Sequence, residues 1–162
     1  DNYCDDMCPK LKTEIRSSKG FSSTEEEVSL NILRTAALLE HAVAERLKPH
    51  GLTLTQYNVL RILRGAGEEG LCRNEVGNRM LKAVPDVTRL LDRLVEAGLV
   101  ARDRNDEDRR FVTARITGRG LAKLAFLDEP VTKMHEELLG HMKKGDLRRL
   151  AELLEESRER MA

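Results

Sequence analysis

The sequence predicts a mainly α-helical chain with one small β-hairpin, on three observations. Apolar residues recur every three to four positions through most of residues 24–162. Between Leu99 and Ile116 alone the period shifts to two. Gly and Pro punctuate the helical runs, at Pro49 and Gly51, Gly65 and Gly67, and Gly98. A chain of 162 residues, 40% apolar and 35% charged, fits one domain, or one domain with appendages that pair it to a copy. Aromatics make up 3% and Trp is absent, so the core is aliphatic.

Residues 1–23 mix charge, Ser and Gly without a period and read as a flexible tail or a remnant of cloning. Order begins at Thr24-Glu25-Glu26-Glu27, a capping-box pattern with acid in the first helical turn. Val28, Ile32, Ala36, Leu39, Val43 and Leu47 then form one stripe, ended by Pro49 and Gly51. A second apolar set, Leu33 and Leu38 beside Ala37, gives this helix two apolar faces, more than a small monomer offers partners for.

Thr55 is expected to cap a second helix carrying Val59, Leu60, Ile62 and Leu63. A third runs from about Arg73 to Leu81 with Val76 and Met80 inward. Pro85 opens a fourth in its first turn, and Gly98 ends it. Two strands follow, Leu99 to Arg104 and Arg110 to Ile116, joined by a turn at Asn105-Asp106-Glu107-Asp108. Thr117 caps a helix with Leu121, Leu124 and Ala125 inward, which Pro130 should kink or interrupt. A last helix, from Asp146, carries Leu147, Leu150, Leu153 and Leu154.

Three helices followed by a hairpin is the winged helix-turn-helix DNA-binding layout, expected over residues 51–117, here flanked by helices over 24–50 and 118–162. In this layout the second helix of the pair enters the major groove. On the fourth helix, Val87, Leu90, Leu91 and Leu94 make a face to bury, and Arg89 lies almost opposite Val87. Pro85, Asp86 and Thr88 surround Arg89 at the N-terminal end, where base-reading side chains belong. Arg89 suits bidentate contact with guanine. Asp86 suits either a cytosine amino group or, as favoured here, the helix N-terminus.

Arg102, Arg104, Arg109 and Arg110 cluster at the hairpin, a pattern suited to a narrow minor groove. Asp103, Asp106, Glu107 and Asp108 are interleaved with them, so some arginines must be paired and oriented. Residues 73–115 hold ten basic against eight acidic side chains in a chain whose formal net charge is zero. The basic bias is in the right place but weak, and a uniformly basic nucleic-acid coat is excluded.

Val87-Thr88-Arg89-Leu90-Leu91-Asp92-Arg93-Leu94, Gly98-Leu99-Val100, Asp108-Arg109-Arg110, Ile116-Thr117 and Gly120 together resemble the multiple-antibiotic-resistance regulator (MarR) family of winged-helix transcription factors. The likeness is strongest over Leu52 to Leu121. It implies a homodimer interlocked through first and last helices, acting as a repressor on a pseudo-palindromic DNA operator. It further implies recognition-helix contacts at Pro85, Asp86, Thr88 and Arg89, and phosphate contacts at Arg73 and Asn74. Asp108 and Arg110 would form the wing pair that positions a tip arginine, Arg109 or Arg104. Pro85-Asp86 stands where many members carry Ser-Thr, and Cys72 where a Ser or Thr cap is usual. Release by a small, often aromatic or phenolic, acid is the family pattern, and His41, Arg46 and Tyr57 stand at positions suited either to its crevice or, as favoured here, to ordinary polar contacts of the dimer interface.

Alternatives of the same fold are a redox-responsive regulator through Cys72, a metal-responsive one through Glu40-His41 with His135 or His141, and a protein-contact module without specific DNA binding. The His spacings match no strong ligand motif. An odd count of three cysteines builds no disulfide framework, and free thiols are expected. No HExxH, phosphate-cradling Gly loop or nucleophile with an assigned base occurs, so neither enzyme activity nor a cofactor is expected. No run approaches the roughly 18 apolar residues of a membrane span, so the chain is expected in the cytoplasm.

Overall fold

The computed structural model describes residues 10–16, 18–104 and 112–161. Helices α1 (Lys10–Glu14), α2 (Thr24–Leu47), α3 (Leu54–Ala66), α4 (Arg73–Asn78), α5 (Val87–Glu96), α6 (Gly118–Leu139) and α7 (Lys144–Arg158) accompany strands β1 (Leu71–Cys72), β2 (Val100–Arg104) and β3 (Val112–Ile116). The chain divides into two units at Ala42 and Val43. Among the described residues no helix is long and apolar enough to cross a membrane.

In the first unit, α1 lies within the stretch expected to be a tail. Leu11 is buried, and Glu14 pairs with Arg34 of α2 at 3.7 Å. The cap of α2 sits one residue earlier than the sequence pattern indicated. The Ser23 hydroxyl accepts from the Glu26 N–H, and the Glu26 carboxylate accepts from the Ser22 N–H and hydroxyl. These Ser22 bonds hold the Glu26 pKa below its ordinary value. Along this part of α2 the apolar side chains stay open: Val28, Leu33 and Leu38 are each about half exposed or more.

The second unit closes around Leu47, Val59, Leu60, Leu63, Val76, Leu94, Leu124 and Leu127, all fully buried. Thr53, not Thr55, caps α3: its hydroxyl accepts from the Gln56 N–H and Gln56 returns to the Thr53 N–H, a reciprocal box. α4 stops at Asn78, earlier than expected. Pro85 precedes α5 rather than entering its first turn, because Asp86 is the cap and accepts from the Arg89 N–H at 2.9 Å. α5 packs on α4 and β2, with Leu91 and Leu94 buried.

Among the described residues the sheet has three strands in the order β1-β3-β2, all antiparallel. β1, too short to show a period, pairs Leu71 with Ala114 and Cys72 with Thr113. Thr117 caps α6 as expected, accepting from the Gly120 N–H and donating to the Gly98 carbonyl. The inward face of α6 is Gly120, Leu124, Leu127, Val131 and Met134, whereas Leu121 and Ala125 are exposed. Pro130 does not interrupt this helix; burial of Leu127, Val131 and Met134 on either side of it outweighs the lost backbone bond. α7 begins at Lys144, two residues before the expected Asp146, and buries none of its residues.

Candidate nucleic-acid interface

The helix-turn-helix pair is α4 and α5, and their N-terminal ends converge. Arg73, the first residue of α4, donates from Nη1 to the Thr88 hydroxyl at 3.4 Å and from Nη2 to the Asn74 side-chain oxygen at 3.3 Å. Two open clefts of about 400 and 390 Å³ share Arg73, Asn74 and Thr88 as walls. One continues to Cys72, Leu91 and Arg102, the other to Pro85 and Asp86. Arg89 is exposed beside them, one residue past Thr88. Its side chain makes no ion pair among the described residues, so its five donors are open to a planar acceptor.

Local chemistry fixes these positions. Cys72 is the residue before α4, where a hydroxyl is usual, and Glu75 does most of the capping by accepting from the Cys72 N–H at 2.9 Å. That bond first, and the Cys72 side chain second, hold the Glu75 pKa below its ordinary value. The Asn58 side chain of α3 accepts from the Leu81 N–H at 3.0 Å and ties down the turn between α4 and α5. Arg102 departs from the wing cluster in which the sequence placed it. It reaches back from β2 to α5, pairing with Asp92 and donating to the Thr88 carbonyl. Asp103 likewise pairs across the sheet with Arg115, at 3.2 Å.

A MarR family model matches residues 50–110. The uncharacterized HTH-type transcriptional regulator YwoH of Bacillus subtilis (strain 168) is 32% identical over 115 residues, covering 71% of this chain and 82% of that protein. The MarR transcription factor of Planctomyces limnophilus is 38% identical with a TM-score of 0.65, over 84% of this chain and 98% of that one. The chain belongs to the MarR family. This MarR regulator also superposes, at a TM-score of 0.73 and 26% identity, on mutant MarR from E. coli complexed with operator DNA, over 84% of this chain and 99% of that one. It is a DNA-binding transcriptional regulator with the winged helix fold.

The remaining expected site residues of this MarR regulator are dispersed. Arg104 ends β2, and Asp108, Arg109 and Arg110 lie outside the described residues, as does the Asn105–Asp108 turn. Tyr57 is buried with the Arg61 guanidinium 5.9 Å from its ring centre, and burial raises its pKa. Arg46 pairs with Glu137 of α6 at 3.3 Å. His41, in the first unit, is exposed. Arg46 and Tyr57 are thus engaged with different neighbours. Sequence reasoning missed the Arg102–Asp92 pair, since nothing in the spacing of a strand residue and a helix residue ten apart marks them as partners.

Proposed function

We propose that this MarR regulator acts as a homodimer on a pseudo-palindromic operator, reading base edges with Arg89 and Thr88 and holding phosphates with Arg73 and Asn74. Pro85 and Asp86 shape the entry to α5, and the wing residues Arg104 and Arg109, with Asp108 and Arg110 orienting them, supply the minor-groove contact. The observation that carries this reading is the convergence of Arg73, Asn74 and Thr88 at the start of the two helices, beside an exposed Arg89. Helix N-termini and backbone-directed cations position a protein on DNA, and side chains at base edges specify the sequence.

Family membership supports the regulatory half: repression, relieved when a small aromatic acid binds. The test is fluorescence anisotropy of the full chain on its own upstream DNA and on a scrambled duplex, at two salt concentrations. Tight binding to the upstream DNA alone, persisting at the higher salt, is expected. Weakening of that complex by benzoate-type acids is the expected mark of release. Equal, steeply salt-dependent binding to both duplexes would reduce the interface to phosphate contact and remove base readout.

A further inference from the structure

Arg102 leaves the edge strand β2 and takes two acceptors on α5, the side chain of one residue and the carbonyl of the residue four before it, which meet at the same level of the helix. Nη1 pairs with the Asp92 carboxylate, and Nη2 donates to the Thr88 carbonyl oxygen at 3.3 Å. Residues four apart lie on one face of a helix, so both ends of this fork meet the same side of α5. An ion pair with the rotatable Asp92 side chain alone would let the helix roll beneath it. The second bond, to a backbone carbonyl, ties the same planar guanidinium to the frame of the helix itself.

Roll matters here because helical residues follow one another at 3.6 per turn, so a modest rotation carries Arg89 from one base edge towards the phosphates. Arg73 holds the Thr88 hydroxyl from the α4 side, and Arg102 holds the Thr88 carbonyl from the sheet side. Thr88 and its neighbour Arg89 are therefore bracketed between two arginines on different elements. The side chains of Arg102 and Asp92 are 31% and 46% exposed, so the pair adds little to global stability. Its effect is geometric.

We propose that Arg102, held by Asp92, is a positioning residue for operator discrimination: it locks the roll of the recognition helix against the sheet without itself reading a base. The inference rests on α5 being the DNA-reading helix. Asp92→Asn and Arg102→Lys test it in the full chain, with two readouts. Amide hydrogen exchange of the free protein reports on the first turn of α5 and on β2. Anisotropy reports the ratio of affinities for operator and scrambled DNA.

Both variants are expected to melt as the wild type does, with faster exchange at those amides. The operator-to-scrambled ratio should fall on the order of tenfold, the scale of one displaced base contact. For Asp92→Asn the affinity for scrambled DNA should hold or rise, because the charge that neutralised Arg102 has gone. Wild-type exchange in either variant would overturn the proposal. So would full recovery of the ratio by Arg102→Lys where Arg102→Gln weakens both duplexes equally, which marks a simple phosphate contact. A wild-type protein that shows no operator preference would remove the DNA reading instead, and the exchange readout would still decide whether the lock exists. Should Asp92→Asn fail to fold, Arg102→Lys carries the test alone.

Discussion

Arg89 and Arg73 are both exposed arginines near the start of a helix, yet their surroundings assign them different work. Arg73 commits two of its five donors to Thr88 and Asn74, which leaves it a charge of fixed position with donors to spare, whereas the exposed Arg89 side chain makes no ion pair among the described residues. Arg89→Ala should therefore lose about 1–3 kcal/mol on operator and little on scrambled DNA. Arg73→Ala should weaken both alike and lower the salt slope by about one. Anisotropy titrations over a salt series separate the two, and equal losses for Arg89→Ala on both duplexes would refute base readout. Glu75 gives a second residue-level prediction. Its pKa is lowered by the Cys72 hydrogen bonds, so its contribution to stability is complete above the ordinary glutamate range and fades as the pH falls through the lowered value. Melting temperatures of wild type and Glu75→Gln should differ at neutral pH and converge in acid. A gap independent of pH would mean that the carboxylate charge does not do the capping.

At the scale of elements, α6 approaches the wing so closely that only glycine fits at its third residue. A Cβ on Gly120 would run into the Leu99 carbonyl oxygen and the Ile116 side chain, while one on Gly118 would meet open space. Gly120→Ala is expected to cost about 1–3 kcal/mol of stability by overpacking. Gly118→Ala should be neutral or slightly stabilising. Urea melts of the two side by side check the contrast, and equal stability would show that the helix end can shift. Most elements were legible from period and punctuation, because local apolar spacing dictates which helix face is buried. The misses had physical causes. β1 is held by pairing with Thr113 and Ala114, some forty residues away in the chain, and two residues carry no period of their own. Pro130 is expected to kink or interrupt α6, and the interruption does not occur: its local cost is visible in sequence and the packing around it is not. The Thr53 cap was legible: Gln56, three residues on, is its reciprocal partner, and Thr55 has no such signal. The exposed residues of α4 and α5 proposed to face DNA follow from helix phase, whereas the Arg102 contacts depend on how strand and helix meet.

The whole molecule carries more apolar surface than one chain covers. α7 buries none of its residues, and Leu150 and Leu153 are 39% and 44% exposed, alongside Leu33 at 66% on α2. A second copy is the proposed cover. Replacing both Leu150 and Leu153 with Glu should convert a dimer into monomers and abolish operator binding, since two half-sites about one helical turn apart require two recognition helices. Analytical ultracentrifugation reads the first effect and anisotropy the second. A dimer that survives the double substitution would move the interface away from α7.

The strand order has a consequence for the state of the protein in a crowded solution. β3 is central, so among the described residues β2 is an edge strand, the kind of strand another extended chain can template on. With a formal net charge of zero, long-range repulsion does not keep copies apart. The edge itself is blunted: Arg102 and Asp103 stand on it at adjacent positions, each already tied to a partner within the subunit, to Asp92 and to Arg115. An incoming strand would have to bury or break those ion pairs before it could dock. Arg102, proposed above to hold α5, is thus also one of the charges that guard this edge of the sheet against aggregation.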